Sequence, residues 1–93
     1  MKFEYDPHKS RANKLKHGID FEEAQTLWAD PDAIVQDARS DTEKRYVVIG
    51  RINGKMWSGF ITYRNDVIRI ISVRRSRKQE MEDYEQELAR RGA

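Results

Sequence analysis

Ninety-three residues are enough for one small domain and leave no room for a second independent core. Apolar residues make up 38% of the chain and charged residues 37%. No apolar run nears the ~18–20 residues that span a bilayer, and the N-terminus lacks the apolar stretch of a secretion signal. The absence of cysteine excludes disulfides, thiolate nucleophiles and Cys-based zinc sites. One cytoplasmic domain over residues 1–93, with no membrane partner, is the expectation.

The net charge of +2 conceals strong segregation. Residues 1–18 carry +3 and residues 19–38 carry −6; residues 39–78 carry +8 and residues 79–93 carry −3. The central block suits a polyanion, or else it neutralises the acidic segments when the chain folds.

Residues 2–5 alternate in polarity and predict a short strand. Asp6-Pro7 then opens a helix, with Asp6 at the N-cap and Pro7 at the first helical position, where its missing N–H is not needed. Ala12 and Leu15 give that helix a thin apolar stripe, and Gly18 suits its C′ position. Asp20 and Glu23 form a capping box for a second helix that buries Phe21, Ala24, Leu27 and Trp28, and Asp30-Pro31 stops it. The period then changes to that of strands: residues 33–36, 44–52, 55–64 and 67–74, rich in Val, Ile and aromatics. Asn53-Gly54 and Asn65-Asp66 supply tight turns. Ser76 caps a last helix running to about residue 91, with Met81, Tyr84 and Leu88 inward. The predicted architecture is α+β: an antiparallel sheet with a meander of three main strands plus short edge strands, two N-terminal helices and one C-terminal helix.

Counting outwards from the two turns sets Val47 opposite Phe60, Arg45 opposite Thr62 and Glu43 opposite Arg64. It also sets Thr62 opposite Arg69 and Phe60 opposite Ile71. One sheet face then holds Glu43, Arg45, Val47, Ile49, Phe60, Thr62, Arg64, Arg69, Ile71 and Val73. The other, almost wholly apolar, holds Tyr46, Val48, Trp57, Ile61, Tyr63, Ile68, Ile70 and Arg74 and is the better core face. At one end of the first face a single carboxylate meets three guanidiniums, a combination that attracts an anion. The bland alternative is an exposed Glu43–Arg64 pair worth ~0–1 kcal/mol, with the other arginines solvated.

A second basic run, Arg74-Arg75-Ser76-Arg77-Lys78, spans the end of a strand and the start of a helix. Either it forms a phosphate seat at the helix N-terminus, or its cations pair with Glu80 and Glu82. His17 sits at a helix C-terminus, which favours the imidazolium. Lys14 and Lys16 suit a solvated face, and Trp28, Trp57 and Tyr84 read first as packing. No metal-binding, nucleotide-cofactor or Ser-hydrolase motif is present, so no cofactor is expected.

Read together, these segments resemble the BrnT family, toxins of type II toxin–antitoxin pairs. The resemblance rests on Phe3-Glu4-Tyr5-Asp6-Pro7, on the run from Lys16-His17-Gly18 to Ala24, and on Glu43-Lys44-Arg45 ahead of Ile49-Gly50. The run from Ile68 to Arg75, then Glu80 and Tyr84, completes it. It implies a RelE/ParE-like fold, a cofactor-free endoribonuclease, and a BrnA-like ribbon-helix-helix antitoxin that forms a DNA-binding hetero-oligomer on its operator. His17, Glu43, Arg45, Arg64, Arg69, Arg74 and Arg75 match the family's positions. Val73 stands where the family often has alanine, and Ser40 near a frequent histidine. For attack by a ribose 2′-OH, Glu43 is the expected base and His17 the acid, with Arg64, Arg74 and Arg75 clamping the phosphate. Lys14, Lys16, Arg45, Arg69, Arg77 and Lys78 are the expected RNA contacts. The alternatives are a non-catalytic nucleic-acid-binding or interaction protein and a ParE-like toxin with a protein target.

Overall fold

In the computed structural model, which describes residues 1–92, the elements run β1 (Lys2–Glu4), α1 (Pro7–His17), a 3-10 helix (Glu23–Ala29), β2 (Ile34–Ala38), β3 (Arg45–Ile52), β4 (Lys55–Arg64), β5 (Val67–Arg75) and α2 (Lys78–Gly92). The strands form one sheet in the order β1-β5-β4-β3-β2. It is mixed, not antiparallel as expected: β1 runs parallel to β5, with Phe3 opposite Ile68, while the other neighbours are antiparallel. A two-residue turn dictates antiparallel pairing. No such turn links β1 to β5, so that orientation was open.

Only one of the two N-terminal helices is an α-helix. The Asp20–Glu23 box forms, each backbone N–H donating to the other's carboxylate at 3.1 and 2.7 Å. The segment it starts is nevertheless a 3-10 helix, whose three-residue turn stacks positions i and i+3. Phe21, Ala24 and Leu27 repeat every three residues and are all buried. Leu27 presses onto the sheet where two glycines leave room: a Cβ on Gly50 would lie 3.2 Å from Leu27, and one on Gly59 3.1 Å from it. These residues join Ile19, Val48, Ile61, Ile68, Ile70 and Val73 in the main core. The opposite face carries a smaller one, in which Val47, Ile49 and Met56 pack against Tyr84, with Met81 and Leu88 beside it.

The inner face of α1 is polar, not the Ala12–Leu15 stripe expected; Leu15 is 90% exposed. Its buried residues are Ser10 and Asn13. The Asn13 amide donates to the carbonyls of Ile19 and Val73, both at 2.8 Å, and its oxygen accepts from the Val73 N–H at 3.2 Å. The Ser10 hydroxyl accepts from the Phe21 N–H at 2.9 Å. Beyond the end of β1, then, a side-chain amide finishes the edge of β5 in place of a strand, which an apolar stripe could not do.

The expected register holds from the Asn65–Asp66 turn to Ile61–Ile70, with Arg64 opposite Val67 and Thr62 opposite Arg69. A bulge between Phe60 and Ile61 then places Phe60 opposite Ser72 rather than Ile71. One extra residue reverses the alternation beyond it. Val73 therefore lies with the main core, and Arg74, opposite Ser58, lies on the face that α2 covers. Both were expected the other way round.

Candidate functional site

Alternation along the strands places Arg45, Thr62, Arg64 and Arg69 on the α2 side of the sheet, at the end away from the Asn53–Gly54 turn. The bulge adds Arg74 to that face. α2 starts beside Ser58 and crosses towards the β2 edge, tied by Gln36 to Asp83 (3.0 Å), Arg51 to Glu85 (3.2 Å) and Arg91 to Asp32 (3.7 Å). The Tyr84 hydroxyl donates to Asp30 at 2.9 Å, and burial together with that carboxylate pushes the phenol up to about 12. The helix covers the Arg51–Ser58 end of the face and leaves the Arg45–Arg64 end open.

At the covered end the polar groups around Arg74 are paired with one another. Arg74 grips Glu80 through both fork nitrogens, at 2.8 and 2.9 Å, with the guanidinium 5.0 Å above the Phe60 ring. Glu80 also accepts from the Ser58 hydroxyl at 3.0 Å and from the Arg77 N–H at 2.8 Å. The Ser58 and Ser76 hydroxyls share a 2.8 Å bond. Burial would raise the Glu80 carboxyl, but the Arg74 fork and these donors outweigh it and hold it at about 2. Ser76 was expected to cap α2; it is Glu80 that accepts from the Arg77 N–H there, and Glu80 fills the seat for which a phosphate was one of two expected occupants. Lys78 pairs with Glu82 at 3.9 Å, so the pairing alternative describes this corner.

The open end is finished differently. Glu43 and Arg64 lie 3.6 Å apart and both are well exposed, a pair worth ~0–1 kcal/mol. Arg69 is 3.1 Å from Glu4. Arg45 has its Nε buried with no hydrogen-bond partner among the described residues. A buried donor left unmatched costs about 1–3 kcal/mol. Beside it a hollow of about 550 Å³ is lined by residues 37–40 and 42–45, Glu43 and Arg45 included. Buried Thr62 donates its hydroxyl to the Lys44 carbonyl at 2.8 Å and so holds the chain between Glu43 and Arg45.

The expected single constellation divides. Glu43, Arg45, Arg64 and Arg69 come together. Arg74 shares their face, but its strand position opposite Ser58 is six residues along β4 from Arg64, ~20 Å at ~3.3 Å per residue. Its head reaches back over Phe60 towards them. Arg75 turns to the other face, with its Nε donating to the Met56 carbonyl at 3.1 Å and its guanidinium over Trp57. His17 ends α1 one turn past Asn13, which is bonded to Val73 near the Asn53–Gly54 end. The structure thus does not bring His17 to Glu43; on the order of 20 Å of sheet separates them. Lys14 is paired with Glu23 at 2.7 Å, and Lys16 and Arg77 are exposed away from the Glu43 corner. Thr62 escaped notice as a positioning group, as did Arg39 in the wall of the hollow, whereas Glu80 was expected as a partner of the basic run. A polar residue at an inward strand position was the available signal for Thr62.

Residues 5–80 match the family described as "Ribonuclease toxin, BrnT, of type II toxin-antitoxin system". A comparison with curated proteins finds no match.

Proposed function

The chain belongs to the BrnT family of ribonuclease toxins of type II toxin–antitoxin systems, and on that premise we propose that it cuts RNA at the open corner built by Glu43, Arg45, Arg64 and Arg69. One observation carries this reading: the buried Arg45 Nε lacks an acceptor beside an open hollow that also holds a carboxylate. An RNA phosphate in that hollow meets the part-exposed Arg45 guanidinium, whose sealed Nε no protein acceptor holds among the described residues. Arg69 is matched by Glu4 and Arg64 by Glu43. Once Glu43 takes a proton the Arg64 charge is unmatched, and an oxyanion developing on phosphorus strengthens its interactions with Arg45 and Arg64.

In this scheme Glu43 takes the proton of the ribose 2′-OH. The 2′-oxygen attacks phosphorus, the bond to the 5′-oxygen breaks, and that oxygen leaves with a proton from water at the open face. The products are a 2′,3′-cyclic phosphate and a 5′-hydroxyl. His17 has no part in this step. Arg74, locked by Glu80 above Phe60, serves the fold and takes no part in holding the RNA. The scheme assigns charge stabilisation to guanidiniums and routes no step through a metal.

Family membership implies an antitoxin partner. Our reading gives that antitoxin a ribbon-helix-helix DNA-binding domain and places the pair in the cytoplasm; no described helix is long and apolar enough to cross a membrane. The test is cleavage of RNA by the purified chain in EDTA. The wild type is expected to leave cyclic phosphate ends and Arg45→Ala to lose activity; equal rates in the two would overturn the reading.

A further inference from the structure

We propose that the outer edge of β2 is the docking site of the antitoxin, which adds an extended, basic segment to the sheet there. The proposal rests on family membership and is independent of the RNA site.

The two edges of the sheet are treated differently. At one, β1 is only three residues long and Asn13 completes the adjoining stretch of β5. At the other, all five residues of β2 pair inwards with β3, and the sheet order places no strand outside them. Edge strands are normally blunted by lysine, proline or a bulge. β2 reads Ile-Val-Gln-Asp-Ala and has none of these, and Val35 is 53% exposed on it. An unpaired edge of this kind accepts an incoming strand by main-chain hydrogen bonds, with alternate side chains giving specificity.

α2 flanks this edge and leaves a groove of about 460 Å³ with Ile34 and Gln36 on one side and Asp83, Glu87 and Arg91 on the other. Arg91 lies 3.5 Å from Glu87 and 3.7 Å from Asp32, so Asp83 is the groove's carboxylate with no cation beside it among the described residues. Asp83 accepts from the side-chain amides of Gln36 (3.0 Å) and Gln79 (2.9 Å), neutral donors that favour its charged form without neutralising it. The groove joins the two acidic stretches of the chain, residues 19–38 at −6 and 79–93 at −3. Like charge disfavours RNA here, and it disfavours pairing with a second copy, which would set Asp37 and Asp83 against their equivalents. The fitting occupant is an extended protein segment whose alternate residues place Lys or Arg towards Asp83 and an apolar side chain beside Val35.

The position also accounts for neutralisation. Ala38, at the end of β2, lies opposite Arg45, and residues 37–40 wall the hollow that contains Glu43. A strand laid along β2 runs into that hollow and shields it.

Backbone hydrogen exchange on the full chain with and without its full-length cognate antitoxin tests this. Expected is new protection of amides in Ile34–Ala38. Val35→Lys and Asp83→Lys should each weaken antitoxin binding at least about tenfold while isolated-chain cleavage of RNA is unchanged. Protection confined to the Arg45–Arg69 corner or to α1, unchanged affinity in both variants, absence of binding, or a self-dimer burying β2 would overturn the proposal. A chain that gains the β2 protection yet cuts no RNA would refute the Glu43–Arg45 reading and leave this one standing.

Discussion

Arg74 and Arg45 occupy one face of one sheet, and their surroundings differ in what has been completed. Arg74 has a carboxylate held by four donors, a ring beneath it and a helix over it. Arg45 has a buried Nε with nothing to donate to and an open hollow alongside. A finished network contributes stability and orientation, whereas an unfinished one is an unmet demand for an acceptor. The same residue type therefore serves the fold at one end of the face and is available to a ligand at the other.

The largest effects should come from the unfinished end. Glu43→Gln removes the base and is expected to slow single-turnover RNA cleavage by roughly 10²–10⁴-fold. Arg45→Ala should cost on the order of 10²-fold, and Arg45→Lys should recover little of it, because an ammonium lacks the fork. Neither change should lower the melting temperature as much as changes at the other end.

The finished end should answer in stability. Glu80→Gln leaves Arg74, only about 20% exposed, without its counter-charge, an expected loss of about 2–3 kcal/mol in urea unfolding. The pH dependence has a definite sign. The Glu80 carboxyl is depressed from 4.5 to about 2 in the fold. Its contribution of up to ~3 kcal/mol is thus complete above pH ~4.5 and lost as pH falls towards 2. Unfolding measured across that window should steepen for the wild type and flatten for Glu80→Gln.

Smaller effects sharpen the contrast. Tyr84→Phe removes one donor from Asp30, which keeps the N–H groups of Arg51 and Asp32. About 1 kcal/mol is expected, with cleavage intact. His17→Ala should change the cleavage rate by less than about twofold, since His17 stands at the far end of the sheet.

Much of this was legible in the residues because local chemistry determines it. Asp6-Pro7 and Gly18 bound α1; Asn53 and Gly54, with φ of 51° and 78°, make the hairpin, and with Glu43 opposite Arg64 the open corner follows. What escaped depends on contacts distant in sequence. Nothing near Ile71 announces a bulge that sends Arg74 to the other face. The polar inner side of α1 makes sense only once β5 has an unfinished edge for Asn13. The 3-10 helix was the exception: the spacing of Phe21, Ala24 and Leu27 at three residues already carried it.

The central claim is that Arg45, not Arg74, receives the RNA phosphate. Side-chain Nε–H resonances of the arginines in the ¹⁵N-labelled chain can follow this during titration with an RNA carrying a 2′-deoxy sugar at the scissile position. The account predicts a large shift of the Arg45 Nε–H signal with the Arg74 signal left nearly in place. A shift at Arg74 with Arg45 unmoved would contradict it.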